Sequence, residues 1–175
     1  GTSIETPHDY SEVNVTDLYT SSRGRYLGRV REIVQKRLEL AAHAPVDPRD
    51  FFPCDEAQEQ AIAQIGERLR AEWQIGGRGY RASDDVVRYA RPTFIAELKG
   101  ARKAASSYSY SGFEQLVHIS SGLIRYFLEP AALMFSESLA ASADGVSVIP
   151  APIQNAIVRQ QAENLMFSEF DKIFD

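Results

Sequence analysis

Apolar residues recur at helical spacing along most of this chain, and proline and glycine cut the pattern into separate stretches. Between Ser22 and Ala42, the residues Tyr26, Leu27, Val30, Ile33, Val34, Leu38 and Ala41 share one stripe. Arg29, Arg31, Lys36 and Glu39 fall largely off it. A 3.6-residue period puts such residues on one side of a helix, which then needs a second surface to cover it. Repeated stripes with stops between them predict a mainly α fold, a multi-helix bundle of at least five helices. Pro45 and Pro48 end the first helix, and the stretch to Pro53 reads as a loop. Asp55 and Gln58 have the spacing of a cap opening a second helix. Ile62, Ile65, Leu69 and Trp73 stripe it, and Gly76-Gly77-Arg78-Gly79 stops it.

The third helical region starts near Ser83, carries Val86, Val87 and Tyr89, and is expected to break at Arg91-Pro92. A short helix with Phe94, Ile95 and Leu98 then stops at Gly100, and residues 101–110 read as a loop. Ser111-Gly112-Phe113-Glu114 fits a capping box, with Ser111 taking an orphan N–H and Glu114 reaching back. The short helix that follows, with Phe113, Leu116 and Val117, is interrupted by Ser120-Ser121-Gly122. From Leu123 to Leu139 the apolar residues lie nearly all round, which predicts burial on most sides, with Phe127, Leu128 and Phe135 in the core and a kink at Pro130. After Pro150 and Pro152, a last amphipathic helix is marked by Ile153, Ile157, Leu165, Met166, Phe170 and Ile173. Only Tyr10 to Tyr19 alternates like a strand, with Val13 and Val15 opposite Glu12, Asn14 and Thr16. One short strand cannot stand alone, so its sheet is expected to lie outside the chain.

No apolar run approaches the roughly 18 residues that span a bilayer, so no membrane partner is expected. Cys54 is the only cysteine, which excludes an intrachain disulfide and makes a cytoplasmic setting the default. Three scattered histidines leave no zinc-like spacing and no expected metal site. The net charge of −5 hides blocks: residues 78–103 carry seven basic against three acidic residues, whereas residues 44–72 carry seven acidic against three basic. Arg78, Arg81, Arg88, Arg91, Arg102 and Lys103 are therefore candidate contacts for nucleic-acid phosphates, with Tyr108 or Tyr110 stacking on bases. Solvated helix faces explain the same blocks without a ligand.

The chemistry-bearing motifs are mostly absent. No glycine precedes a lysine, so there is no phosphate-binding loop, and neither Gly-x-Ser-x-Gly nor His-Glu-x-x-His occurs. Cys54 stands at a helix start, where the dipole favours a thiolate but Asp55 opposes it. The chain alone is thus not expected to be an enzyme. One constellation is site-like: Ser120-Ser121-Gly122-Leu123-Ile124-Arg125. An arginine in the first turn of a helix opposes the dipole. Its apolar neighbours would pin that helix and hold the guanidinium where it can fork onto a phosphate. On spacing alone, a salt bridge to Glu129 explains Arg125 equally well.

His118 through Phe135, and more loosely Tyr110 through Met134, resembles the helical lid subdomain of AAA+ ATPases, in the origin-recognition-type or STAND-like branch. Ser121-Gly122-x-x-Arg125 matches that family's second-sensor motif. The passage from Leu18-Tyr19 into Arg25-Tyr26-Leu27 resembles its step from last core strand to lid. The resemblance implies that residues 1–20 end a missing ATPase core. Residues 21–140 would form the lid, with an insertion at about 45–107, and residues 141–175 would begin a C-terminal region. It further implies that Arg125, Gly122 and Ser121 meet the phosphates of ATP, with ATP and Mg bound by the absent core as principal partner. The Walker A, Walker B and first-sensor segments are missing from the chain, and the insertion exceeds a minimal lid. Nucleic acid, a protein client and an oligomer of the intact protein stay open as partners. A helical nucleic-acid-binding or protein-interaction module is the alternative.

Overall fold

The computed structural model describes residues 23–42, 45–76, 82–100, 107–142 and 145–171, and among them finds seven helices and no strand. These are α1 (Arg23–Ala42), α2 (Pro48–Phe51), α3 (Glu56–Gly76), α4 (Ala82–Gly100), α5 (Phe113–Ile119), α6 (Arg125–Ala141) and α7 (Ala151–Asp171). The strand expected at Tyr10–Tyr19 lies outside the described residues. None of the helices is long and apolar enough to cross a membrane.

Helix α1 buries Tyr26, Val30 and Val34, spaced four apart, as its stripe requires. The stretch expected as a loop after it contains α2. The Asp47 carboxylate accepts the Arg49 N–H at 2.9 Å, and Pro48 takes the first helical position, where its missing N–H costs nothing. That turn carries Phe51 and Phe52 into the core. Phe127 meets both Phe52 and Phe113 edge-on, with centroids 6.0 and 5.7 Å apart, and α1, α2, α5, α6 and α7 close around them.

Helices α3 and α4 form a hairpin with its own small core of Ile62, Ile65 and Ala90, backed by Leu69 and Phe94. Asp55 caps α3 as expected, accepting the Gln58 N–H at 3.0 Å. Helix α4 runs unbroken through Pro92, against the expected break. An interior proline costs about 3 kcal/mol. Burial of Val86 and Ala90 on one side of it, and the anchored Arg91 beside it, offset that cost. Among the described residues, α3 and α4 pack on each other and on no other helix, so the hairpin stands off the main core.

Buried polar groups tie the hairpin's base to that core. Gln58 and Ser109 exchange two hydrogen bonds, at 3.0 and 2.7 Å. Gln154, fully buried, accepts the Gly112 N–H at 2.8 Å and donates to the carbonyls of Pro53 and Ile149 at 2.9 and 2.7 Å. The capping box expected at Ser111–Glu114 does not form. Gly112, at φ 100°, is the N-cap and supplies no side chain. Ser111 accepts the Asp55 N–H instead, and Glu114 pairs with Arg49. Distant partners have taken both ends of the local motif.

The expectation that α6 is buried on most sides is also overturned. Phe127 and Met134 are its only buried large side chains, and Leu128 is half-buried. Phe135 is 42% exposed, with Leu123, Tyr126, Leu133 and Leu139 in a similar state. Among the described residues, α6 packs on α7 and on α5, and neither helix covers these side chains. On α7, Ile157 and Val158 are buried, but Leu165 and Met166 of the expected stripe are exposed.

Candidate functional site

The turn between α5 and α6 is built from its first serine. Ser120 is fully buried, and its Oγ donates to the Val117 carbonyl at 2.7 Å, closing the end of α5. The Tyr26 hydroxyl of α1 lies 2.6 Å from the same Oγ. Since the serine's single proton is directed at Val117, the tyrosine is the donor. Ser121 and Gly122 follow with φ of 52° and 84°, two left-handed residues in succession that reverse the chain sharply. This conformation suits Gly122 but costs a side chain such as that of Ser121 about 1–2 kcal/mol. The Ser121 Oγ donates to the Ile119 carbonyl at 3.2 Å, and the Leu123 N–H returns to Ser120 at 2.9 Å.

Helix α6 then opens with Arg125. Ile124, the N-cap residue, supplies no capping side chain, so no carboxylate or hydroxyl of the cap covers this helix end. The Arg125 side chain is 85% exposed, and its Nε is 3.5 Å from Glu129 Oε2. A pair this open to water is worth about 0–1 kcal/mol and restrains the guanidinium little. Both Arg125 and Ser121 face a groove of about 730 Å³ between α5, α6 and α7. Its walls include Leu116, Ile119, Phe127, Pro130, Met134 and Val158. Glu129, Gln161 and Asn164 add polar groups to the lining, and an apolar groove with a few polar groups has the general form of a small-molecule site. Arg125 and the N-terminal end of α6 both favour an anion there, and the Glu129 carboxylate opposes it.

Of the basic residues proposed for nucleic acid, Arg88 and Arg91 lie among the described residues. Arg78, Arg81, Arg102 and Lys103 lie outside the described residues. Arg88 is exposed on α4. Arg91 is committed internally, with one guanidinium nitrogen 2.9 Å from each oxygen of Glu59 and another bonded to the Tyr108 hydroxyl. Burial alone would lower its pKa, but the Tyr108 and Glu59 contacts outweigh burial and raise it. Tyr108 also accepts from Gln115, and Tyr110 sits edge-on to Tyr108 with the Arg159 guanidinium 5.5 Å from its ring centre. Both half-buried tyrosines thus hold structural contacts in the hairpin's base. Cys54 is exposed, and the described residues contain no metal-binding cluster.

Sequence reasoning missed the contributions of Tyr26 and Gln154. The first reads as a plain stripe residue, and its partner is 94 positions away. The second had a faint signal, a polar residue beside Ile153 in an apolar stretch of helix.

A family model described as ORC-CDC6-like matches residues 74–172, more than half of the chain, and spans the whole Ser120–Arg125 turn. No curated protein and no solved structure matches the chain. With a helical architecture and that match, the chain belongs to the ORC-CDC6-like family and is an AAA+ ATPase-related helical region.

Proposed function

We propose that this chain is the lid subdomain of an AAA+-type ATPase and reads bound nucleotide through Arg125. The observation that carries the reading is the placement of Arg125: in the first turn of α6, largely exposed, and lining an apolar groove. The family relationship supports it. So do Leu123, Tyr126, Leu133 and Phe135, exposed among the described residues, which an adjoining ATPase core would cover.

Such a lid makes no bond itself. Arg125, with Ser121 and Gly122 shaping the turn before it, would offer a cation to the phosphates as the lid closes over the core. That arrangement stabilises charge developing on the transferred phosphoryl group. ATP would supply the reacting phosphates, and Mg would be held by residues of the core. Nucleotide binding would thereby favour the closed arrangement of lid and core. For the competing nucleic-acid module, Arg91 is already paired with Glu59.

Equilibrium titration of the natural full-length gene product with ATP and magnesium, beside its Arg125→Ala variant, tests the proposal. Loss of one charge-assisted contact of about 1.5–3 kcal/mol weakens binding by roughly 10- to 100-fold. Equal affinity in the two proteins, or a gene product with no phosphate loop, would sink the reading.

A further inference from the structure

We infer that Tyr26 is the positioning residue that aims Arg125, through the buried Tyr26–Ser120 hydrogen bond; the inference rests on the lid reading above. Tyr26 is 6% exposed and Ser120 fully buried, so water cannot substitute for either partner. The tyrosine hydroxyl donates to Ser120 Oγ at 2.6 Å, and that oxygen donates onward to the Val117 carbonyl at 2.7 Å. The chain of bonds joins α1 to the last turn of α5 at the residue where the connection to α6 begins. Directly after it come Ser121 and Gly122, at φ of 52° and 84°. A serine in the left-handed region persists only where its surroundings hold it. Its own hydroxyl makes a long 3.2 Å bond to Ile119 and is exposed, so the firm anchor is the residue before it. Three residues beyond Gly122, Arg125 receives its direction from that turn. A shift of α1 is therefore transmitted through one hydroxyl to the phosphate-reading arginine. Arg125 itself makes one weak surface pair, with Glu129, that could not hold a direction unaided.

The test is a double-mutant cycle on ATP affinity in the full-length gene product. It compares the parent protein with Tyr26→Phe, Arg125→Ala and the double variant. Tyr26→Phe keeps the ring in the core and removes only the donor. One lost hydrogen bond of about 1 kcal/mol predicts roughly fivefold weaker ATP binding. In the Arg125→Ala background the same change should have no further effect, because there is no arginine left to aim. Ser120→Ala, which removes the same bond together with the Ser120–Val117 bond, should weaken binding at least as much as Tyr26→Phe. Equal fold-losses in both backgrounds would mean that Tyr26 merely supports the fold, and would overturn the inference. Unchanged affinity in Tyr26→Phe would overturn it too. Unchanged affinity in Arg125→Ala would instead overturn the lid reading beneath it.

Discussion

Gln154→Met removes the polar contacts that join three segments of the main core while nearly conserving side-chain volume. Gln154 has no exposed surface, and its amide serves the N–H of Gly112 and the carbonyls of Pro53 and Ile149. These groups belong to the entry into α3, the start of α5 and the entry into α7. Methionine fills the same space without a cavity, so the cost comes from backbone groups left without partners. A buried unsatisfied group costs about 1–3 kcal/mol, and with Pro53 half-buried and able to recruit water the total is about 3–5 kcal/mol. That is a large share of the roughly 5–15 kcal/mol by which a domain is stable. At about 2–4 °C per kcal/mol for a chain of this length, Tm should fall by about 6–20 °C. Thermal unfolding followed by far-UV circular dichroism on parent and variant gives the answer. A fall of less than about 3 °C would mean that these bonds exchange freely with water, and would refute the reasoning.

Gly112→Ala should destabilise by about 2–4 kcal/mol. It adds a side chain at φ 100° whose Cβ would sit 3.1 Å from Cys54 Cβ and 3.3 Å from its Cα, combining backbone strain with overpacking. Urea unfolding with an unchanged m-value checks it. The Asp47 carboxyl titrates below its ordinary value, chiefly because it accepts the Arg49 N–H and also because Arg31 lies beside it. A depressed folded-state pKa gives stabilisation that is complete above the unfolded value and is lost as pH falls through the folded one. Asp47→Asn should therefore flatten the fall in stability toward acid pH and leave the slope near neutrality alone, as read from unfolding midpoints across pH.

Local signals were reliable where the deciding partner lay within a turn or two. The stripe of Tyr26, Val30 and Val34 and the Asp55–Gln58 cap appear as the sequence suggests. The readings that failed were decided at long range. Pro92 obeys a local rule against helix, but Val86 and Ala90 are buried in the hairpin and hold α4 through it. Ser111 and Glu114 have the right spacing for a box, yet Asp55 and Arg49 reach them first. Hydrophobicity placed Phe135 in the core, but composition cannot say on how many sides a helix has neighbours. The Ser121-Gly122-x-x-Arg125 motif was legible as a unit. The hydroxyl from α1 that anchors its turn was not, since no short-range pattern links positions 26 and 120.

The most direct test of the sensor reading pairs two measurements on Arg125→Ala. An exposed arginine with one weak surface partner should leave the melting temperature of this chain nearly unchanged, within about 0.5 kcal/mol. In the full-length gene product, the same substitution should lower ATP turnover by about 10²-fold or more, as loss of a preorganised donor to the reacting group does. Unchanged turnover, or a chain that melts many degrees earlier, would contradict the proposal that Arg125 reads nucleotide.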